Sequence, residues 1–303
     1  EVWGQQSLVR LAHRGPDGSG TRIVGDGRGI LGHTRLSIVD LNDTGAQPMS
    51  CSKGCHTMTF NGEIYNRKEL RERLGPELSL RGHSDTEILL ESFCAFGVRE
   101  TLAGAYGMYA LILWDDRCKK IYVCRDLLGE KPLYVKKCEK DLKFASELSV
   151  LPEERSSLDL SSLKHIVKFG FSPPGYSPLQ NISEILPGYV YEYDEELRFV
   201  GKQRSIHTQE FSQTHKAPSV RSGVSALAHL IEKVIAEQLD ADVEVGTFLS
   251  GGVDSSLVTA IATKLRGDGL KCFTIGFDEK EFDETQQAKR YADFLGCEHF
   301  VLQ

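Results

Sequence analysis

Short apolar runs separated by turns rich in Gly, Asp and Asn dominate the first half of the chain. They predict strands at residues 29–39, 109–114 and 120–124. A helix is predicted to start at Ser84, because Glu87 three residues later completes a capping box. The apolar face of this helix consists of Ile88, Leu89, Phe93 and Phe96. Short strands interrupted by helices indicate an α+β domain.

The pattern changes in the last third of the chain, where strands and helices alternate. Apolar residues at helical spacing predict an amphipathic helix at 223–239. Further helices are predicted at 255–264 and after Asp283, which would cap the last one. The predicted strands are 243–249, 271–277 and 297–302. Such alternation is typical of an α/β parallel sheet with crossover connections.

Two compact units account for this change. A chain of 303 residues is long for one small domain, and a polar stretch begins at Gly201. We predict a first domain at residues 1–200, a linker at 201–221 and a second domain from 222 to 303.

Charge and composition narrow the functional classes. The formal net charge is −7 and the chain has no run of Lys or Arg, which argues against a protein that tracks nucleic acid. No apolar run reaches the ~18–20 residues that a membrane helix requires. The sequence therefore favours small-molecule partners, with neither nucleic acid nor membrane.

The eight cysteines are scattered and include no CxxC pair. Cys51 and Cys55 form one C-x-x-x-C pair, which without a partner pair is more often chance than a metal site. Because no secretory signal is evident, all eight are predicted to be reduced thiols in the cytoplasm. No metal-binding residue is predicted.

The most informative local segment is the loop 249–256, of sequence LSGGVDSS, between a predicted strand and a predicted helix. Its glycines allow an anion to approach closely, and the loop amides together with the positive helix end form a phosphate site. No lysine follows the glycines, so this is not a GxxxxGK[ST] loop. The alternative is an ordinary helix start capped by Asp254 and Ser255. The position between strand and helix favours a nucleotide site.

Several segments of the first half are more specific as an ordered set than singly. They are residues 13–18 (HRGPDG), 32–40 (GHTRLSIVD), 61–66 (NGEIYN), 84–87 (SDTE), 125–134 (RDLLGEKPLY) and 144–147 (FASE). Together with the SGGVDSS loop, this set resembles the glutamine-hydrolysing asparagine synthetases. The resemblance covers essentially the whole chain. It implies an N-terminal αββα sandwich of the N-terminal nucleophile amidotransferase type, followed by part of a parallel α/β ATP-pyrophosphatase domain.

The resemblance also implies roles for individual residues. A guanidinium binds a carboxylate bidentately, so Arg35 suits the α-carboxylate of glutamine. Asp85, with Glu63 nearby, suits its ammonium, while Asn61 and the amide of Gly62 form the oxyanion hole. Each has a plainer alternative, such as Asn61-Gly62 as a common turn dipeptide. The implied glutamine-binding set is Arg35, Leu36, Ser37, Ile38, Val39, Asn61, Gly62, Glu63 and Asp85. The implied ATP-binding set is Leu249, Ser250, Gly251, Gly252, Asp254, Ser255, Ser256 and Ile275.

The family nucleophile is an N-terminal cysteine, usually followed by glycine, whose own α-amino group acts as base. The sequence begins at Glu1, no cysteine precedes the HRGPDG segment, and no cysteine is followed by glycine. We therefore expect a sequence truncated at both ends, which by itself hydrolyses no glutamine and makes no asparagine. Glutaminase turnover above that of a cysteine-free control would contradict this expectation.

For the intact protein the resemblance implies amide transfer from glutamine to aspartate. ATP, accompanied by Mg²⁺, adenylates the β-carboxylate of aspartate, and ammonia then displaces AMP. The implied partners are glutamine, aspartate and ATP, and the resemblance also implies a homodimer. The nearest alternative is a related enzyme with another carboxylate acceptor, such as a β-lactam synthetase. A non-catalytic relative that binds glutamine or ATP is a second alternative. An RNA-modifying enzyme with the same ATP loop is a third, against which the acidic charge and the amidotransferase half both weigh.

Overall fold

The computed structural model describes residues 2–151, 157–205, 220–267 and 269–303. The chain divides into two compact units, Glu1–Gln213 and Thr214–Gln303. The helices of the first unit are α1 (Val2–Leu11), α2 (Arg67–Leu74), α3 (Asp85–Phe96), α4 (Val98–Gly104) and α5 (Leu160–Phe169). Its strands are β1 (Gly18–Val24), β2 (Gly29–Arg35), β3 (Met49–Ser50), β4 (His56–Ile64), β5 (Gly107–Asp115), β6 (Lys120–Arg125), β7 (Tyr134–Lys137), β8 (Leu142–Ala145), β9 (Ile182–Glu184), β10 (Tyr189–Tyr193) and β11 (Phe199–Arg204).

The first unit is built around a six-stranded antiparallel sheet with strand order β11-β10-β6-β5-β4-β3. Successive side chains of a strand point to opposite faces, and β5 shows the consequence. Leu111 and Leu113 pack under α2, α3 and α4, whereas Ala110 and Ile112 face the small sheet β8-β7-β9. On the outer side of that small sheet, α1 contributes Trp3 to a third apolar cluster. The layers therefore run helix, sheet, sheet, helix, which confirms the predicted αββα sandwich.

Helix α3 follows the sequence prediction closely. The side chain of Ser84 accepts a hydrogen bond from the backbone N–H of Glu87 at 3.2 Å, so the predicted cap is present. Every residue from Asp85 to Phe93 is buried, because the helix lies on the six-stranded sheet. This packing places the polar N-terminus of α3 beside β4.

The second unit contains α6 (Val220–Gln238), β12 (Thr247–Phe248), α7 (Val253–Arg266), β13 (Lys271–Ile275), α8 (Thr285–Leu295) and β14 (Glu298–Leu302). Its strands pair in parallel in the order β12-β13-β14. The predicted parallel α/β arrangement is confirmed. Strand β12 has two residues rather than the seven predicted, because only Thr247 and Phe248 pair with β13.

Some boundaries differ from the predicted ones. Strand β2 ends at Arg35, so residues 36–39 are not a strand. Strand β11 continues to Arg204, past the predicted domain boundary at residue 200, because its backbone pairs with β10. Most of the predicted linker, residues 206–219, lies outside the described residues. Its other residues after β11 are Ser205, Val220 and Arg221. None of the helices in the described ranges is long and apolar enough to cross a membrane.

Candidate functional site

A cavity of about 600 Å³ opens in the first unit and collects most of the predicted glutamine-binding residues. Of that set, only Ser37 is not part of its wall, since its backbone N–H donates instead to the carboxylate of Asp17 at 2.8 Å. The predicted residues that do line the cavity are Arg35, Leu36, Ile38, Val39, Asn61, Gly62, Glu63 and Asp85. They come from the end of β2, the loop after it, the second half of β4 and the start of α3.

Arg35 has a different immediate environment from the one that the sequence predicts. Its guanidinium donates to the backbone carbonyls of Asn42 at 2.9 Å and Val39 at 3.4 Å, and also to that of Asp40. These bonds fix the loop that carries Leu36, Ile38 and Val39 against the cavity. Arg35 therefore positions this loop, in addition to lending its charge to the cavity.

The edge of β4 explains how the amide of Gly62 can face a ligand. Backbone N–H groups on alternate residues of a strand point to the same edge. The N–H of Phe60 donates to the side chain of Gln47 at 2.7 Å, and that of Ile64 donates to the carboxylate of Asp85 at 2.9 Å. Gly62 lies between them, so its N–H points to this same edge, where Gly62 and Asn61 line the cavity. An amide there is suited to stabilise an oxyanion.

Two carboxylates in the cavity wall, Asp85 and Glu63, make it favourable for a cation. Burial raises the pKa of Asp85, although its backbone hydrogen bonds from Ile64 and Thr86 act in the opposite direction. Burial also raises the pKa of Glu63, as does the negative charge of Asp85, while Lys131 opposes this shift. Burial and the neighbouring charge raise the cost of keeping these carboxylates ionised, and an ammonium group bound beside them would lower that cost.

Binding of a ligand that carries an ammonium group is therefore expected to weaken as the pH falls. Protonation of Glu63 and Asp85 removes the negative charge that attracts the ammonium. Because the pKa of each carboxyl is raised, this protonation begins at a higher pH than for ordinary carboxyl groups. His33 also lines the cavity, but burial and the charge of Arg35 lower its pKa to about 4, so it stays neutral above pH 5. Calorimetric titration with glutamine, the ligand that the family resemblance implies, should show the dissociation constant rising by up to about tenfold per pH unit below the carboxyl pKa when it is measured between pH 7.5 and 5. A dissociation constant that is flat over this range would contradict the prediction, and Glu63→Gln should make the profile shallower.

Lys131 was not predicted from the sequence, although the segment that positions it was noted. The guanidinium of Arg125 donates to the backbone carbonyl of Lys131 at 2.7 Å. The backbone N–H of Lys131 in turn donates to the carboxylate of Asp126 at 3.1 Å. The Arg-Asp pair thus folds the following loop back and directs Lys131 into the cavity wall. The Arg125-Asp126 pair that closes this turn, rather than a charge pattern, is the sequence signal that could have identified Lys131.

Two other motifs meet at Glu147. Its carboxylate accepts hydrogen bonds from His13 at 2.9 Å and Arg14 at 3.1 Å. Next to them, a side chain at Gly15 would lie 2.3 Å from the backbone of Thr34, so only glycine fits. The HRGPDG and FASE segments are therefore held together beside β2, which carries the cavity residues.

In the second unit the loop 249–256 has the geometry of an anion site. Helix α7 begins directly after Gly252, and the side chain of Ser255 accepts from the N–H of Ser250 at 3.0 Å and lies 2.8 Å from its hydroxyl. The N–H of Gly251 donates to the carboxylate of Glu284 at 3.0 Å. The loop thus already binds an anionic group, the carboxylate of Glu284. A phosphate oxygen could share the N–H of Gly251 with this carboxylate or replace it there.

The two residues predicted to line an adenine ring differ in exposure. Leu249 is buried against Cys272 and the helix α8, so its side chain belongs to the core and only its backbone can contribute. Ile275 ends β13 and is 57% exposed, and its side chain is free to contact a base. Glu284 was not predicted, and nothing in the local sequence pattern indicates its role.

The cysteines also differ from the expectation drawn from the sequence. Among the described residues, no cysteine lines the cavity of the first unit. The C-x-x-x-C pair is not isolated: Cys51, Cys55, His56 and Cys94 bring four potential ligand atoms within 4.8 Å of one another. The sequence could not show this, because Cys94 comes 38 residues after His56 and only the fold joins them.

Comparison with known families identifies the family to which the chain belongs. Residues 4–202 match the glutamine amidotransferase domain family, and residues 226–303 match the asparagine synthase family. The first match covers more than half of the chain, which therefore belongs to the glutamine amidotransferase domain family. The second match covers the unit that contains the SGGVDSS loop.

Individual relatives share both parts of the chain. It is 34% identical over 93% of its length to asparagine synthetase [glutamine-hydrolyzing] 3 of Bacillus subtilis, and 30% identical over 98% to the amidase chry2 of Gibberella zeae. The chain spans 46% of each of these relatives, about half their length. Among solved structures, it matches the allosteric regulatory enzyme of purine biosynthesis with a TM-score of 0.50 and 16% identity, over 99% of this chain and 77% of that one. This last similarity concerns the fold alone.

Proposed function

We propose that the first unit binds glutamine in its 600 Å³ cavity as the nitrogen donor of an amide transfer. The observation that carries the proposal is the position of two carboxylates, Asp85 and Glu63, beside the strand edge to which the amide of Gly62 points. This arrangement offers a site for an ammonium group next to a site for a developing oxyanion. Lys131 and Arg35 supply positive charge in the same wall for the α-carboxylate.

The second unit is proposed to bind ATP through the loop 249–256. The start of α7 and the hydroxyls of Ser250 and Ser255 form the phosphate site, and Mg²⁺ would reach it with the nucleotide. In the intact protein, ATP would activate the carboxylate of aspartate, and nitrogen from glutamine would convert it to asparagine. The similarity to a glutamine-hydrolysing asparagine synthetase supports this choice of acceptor.

A second candidate differs only in the acceptor. The chain is 30% identical over 98% of its length to a protein with a different name, the amidase chry2, so the similarity does not by itself select aspartate as the acceptor. Pyrophosphate release from ATP, measured with the full-length protein and a panel of carboxylic acids, separates the two. Release that depends on aspartate supports the proposal, and release with another acid but not aspartate overturns it.

The phosphate loop provides a direct test of the nucleotide site. Replacing Ser255 with alanine removes the hydroxyl that bonds the N–H of Ser250, so the loop loses its fixed shape and one ligand for phosphate. We expect MgATP to bind this chain at least about tenfold more weakly, in keeping with the loss of about 1.5–3 kcal/mol for a hydrogen bond to a charged group. Calorimetry measures the change, and Ser19→Ala in the exposed part of β1 is the control. Equal affinity of the wild type and Ser255→Ala would argue against a phosphate role for this loop.

The remaining parts of the proposal are testable on the intact protein. Light scattering after size-exclusion chromatography tests the homodimer that the family resemblance implies. A fluorescent fusion tests the cytoplasmic location that the reduced thiols favour.

A further inference from the structure

A cluster of thiol and imidazole groups lies outside the cavity. Cys51 directly follows β3, Cys55 immediately precedes β4, His56 is the first residue of β4, and Cys94 lies near the end of α3. The turn that joins Cys51 to Cys55 is closed by Gly54, whose N–H donates to the carbonyl of Cys51 at 2.9 Å. Three separate elements therefore bring their side chains to one point.

The distances in this cluster fit a four-coordinate metal. The sulfur of Cys55 is 3.6 Å from that of Cys51 and 3.7 Å from that of Cys94, and 3.8 Å from Nδ1 of His56. Zinc bonds of about 2.3 Å to sulfur and about 2.0 Å to nitrogen give tetrahedral edges of about 3.8 Å between sulfurs and about 3.5 Å between sulfur and nitrogen. All four ligand atoms lie within 4.8 Å of one another, and the separation between Nδ1 of His56 and the sulfur of Cys94, at 2.9 Å, would have to lengthen on metal binding. A disulfide would require a separation of about 2.05 Å.

The surroundings of His56 favour the same interpretation. Its Nε2 lies 3.1 Å from the buried carboxylate of Asp115. In the tautomer that carries its proton on Nε2 and donates it to Asp115, the lone pair of Nδ1 is directed at the three sulfurs. Histidine ligands are commonly held by a carboxylate in this way, which fixes the tautomer and the ring orientation. The side chain of His56 is 1% exposed, and simple core packing would not require a histidine at this point.

Nearby positive charge offsets part of the negative charge of the thiolates and of Asp115. Three thiolates and one divalent cation carry a net charge of −1, and Arg117 lies next to the cluster, 3.2 Å from Nε2 of His56. Its guanidinium also pairs with Asp115 at 3.6 Å. A positive charge at this position would stabilise the thiolates that a metal requires.

We propose that Cys51, Cys55, His56 and Cys94 form a structural zinc site. Soft thiolates and one imidazole in tetrahedral arrangement select zinc among the common divalent ions. Four protein ligands leave no open position, so the site has a structural rather than a catalytic role. It fastens the β3–β4 turn to the end of α3. These two elements are already in contact, because the hydroxyl of Ser52 in the turn donates to the carboxylate of Glu91 in α3. The zinc thereby joins the two elements whose other parts, at Asn61–Glu63 and Asp85, line the cavity.

Metal content and cobalt substitution test this proposal. The chain, purified under reducing conditions from zinc-supplemented medium, should contain about one zinc per chain by mass spectrometry. After removal of zinc, Co²⁺ should produce the visible bands of tetrahedral coordination and a thiolate charge-transfer band. Removal by a chelator should lower the Tm by about 5 °C or more, since the metal binds only the folded chain.

Substitution distinguishes these residues from the other thiols. Cys94→Ser should lose nearly all zinc and the charge-transfer band, whereas Cys138→Ser, in the turn between β7 and β8, should retain both. The wild-type cobalt spectrum keeps the test valid even if Cys94→Ser fails to fold. The proposal is overturned by wild-type protein with under about a fifth of an equivalent of zinc and no cobalt spectrum. Equal zinc loss in Cys138→Ser, or a disulfide between any two of the three cysteines, also overturns it.

Discussion

Replacing Gly62 with alanine is expected to lower the free energy of unfolding by about 3 kcal/mol, near the upper end for inserting one methyl group into a packed region. A Cβ at this position would lie 2.2 Å from the carbonyl oxygen of Met108 and 2.7 Å from the Cα of Tyr109. Both atoms belong to the backbone of β5, which pairs with β4 along its whole length. If the clashing atoms belonged to a side chain, that side chain could rotate away. Because they are backbone atoms of a central strand, the clash can be relieved only by moving β5 away from β4.

Denaturant unfolding followed by fluorescence or circular dichroism measures the effect. Gly18→Ala is the matched control, because Gly18 is also a strand glycine of the first unit and its added Cβ would meet nothing within 4 Å. We expect the control to change stability by less than about 0.5 kcal/mol. If Gly62→Ala were as stable as Gly18→Ala, the close approach of β5 to Gly62 would be wrong. The proposed oxyanion edge, which depends on the same register, would then be wrong as well.

The sequence predicted the elements that depend on local signals. The capping box at Ser84 and Glu87 marks the start of α3 without reference to any other part of the chain, and the structure confirms that hydrogen bond. The apolar run at residues 109–114 likewise predicts the strand that the structure shows as β5. Local propensity and packing favour the same structure at these two elements, so a single sequence is enough to predict them.

The parts that the sequence missed depend on distant residues. Cys94 joins Cys51 and Cys55 only because α3 lies across the sheet, and Lys131 reaches the cavity only through a turn fixed by Arg125. The immediate bonds of Arg35 could not be predicted either, since they are made to the carbonyls of an irregular loop. No periodic pattern records such contacts, because each is set by three-dimensional packing.

The second large effect concerns the proposed ammonium site. Asp85→Asn is expected to weaken glutamine binding by at least about 30-fold, because loss of one member of a buried charge pair costs about 2–5 kcal/mol. Asparagine has nearly the same shape and can still accept the N–H of Ile64 through its carbonyl oxygen. The fold should therefore survive the change. Burial raises the pKa of Asp85, so removing its charge also removes a desolvation cost, which offsets part of the free energy of any lost hydrogen bond.

A ligand without the α-amino group makes this test specific. 4-Carbamoylbutanoate keeps the carboxylate and side-chain amide of glutamine, so the loss caused by Asp85→Asn should be much smaller for it than for glutamine. The difference between the two losses isolates the Asp85–ammonium interaction, as in a double-mutant cycle. Asp26→Asn, in the turn between β1 and β2 with its side chain 81% exposed, is the charge-matched control and should bind both ligands normally. Equal losses for the two ligands would mean that Asp85 supports the shape of the cavity through Ile64 and Thr86 and does not bind the ammonium.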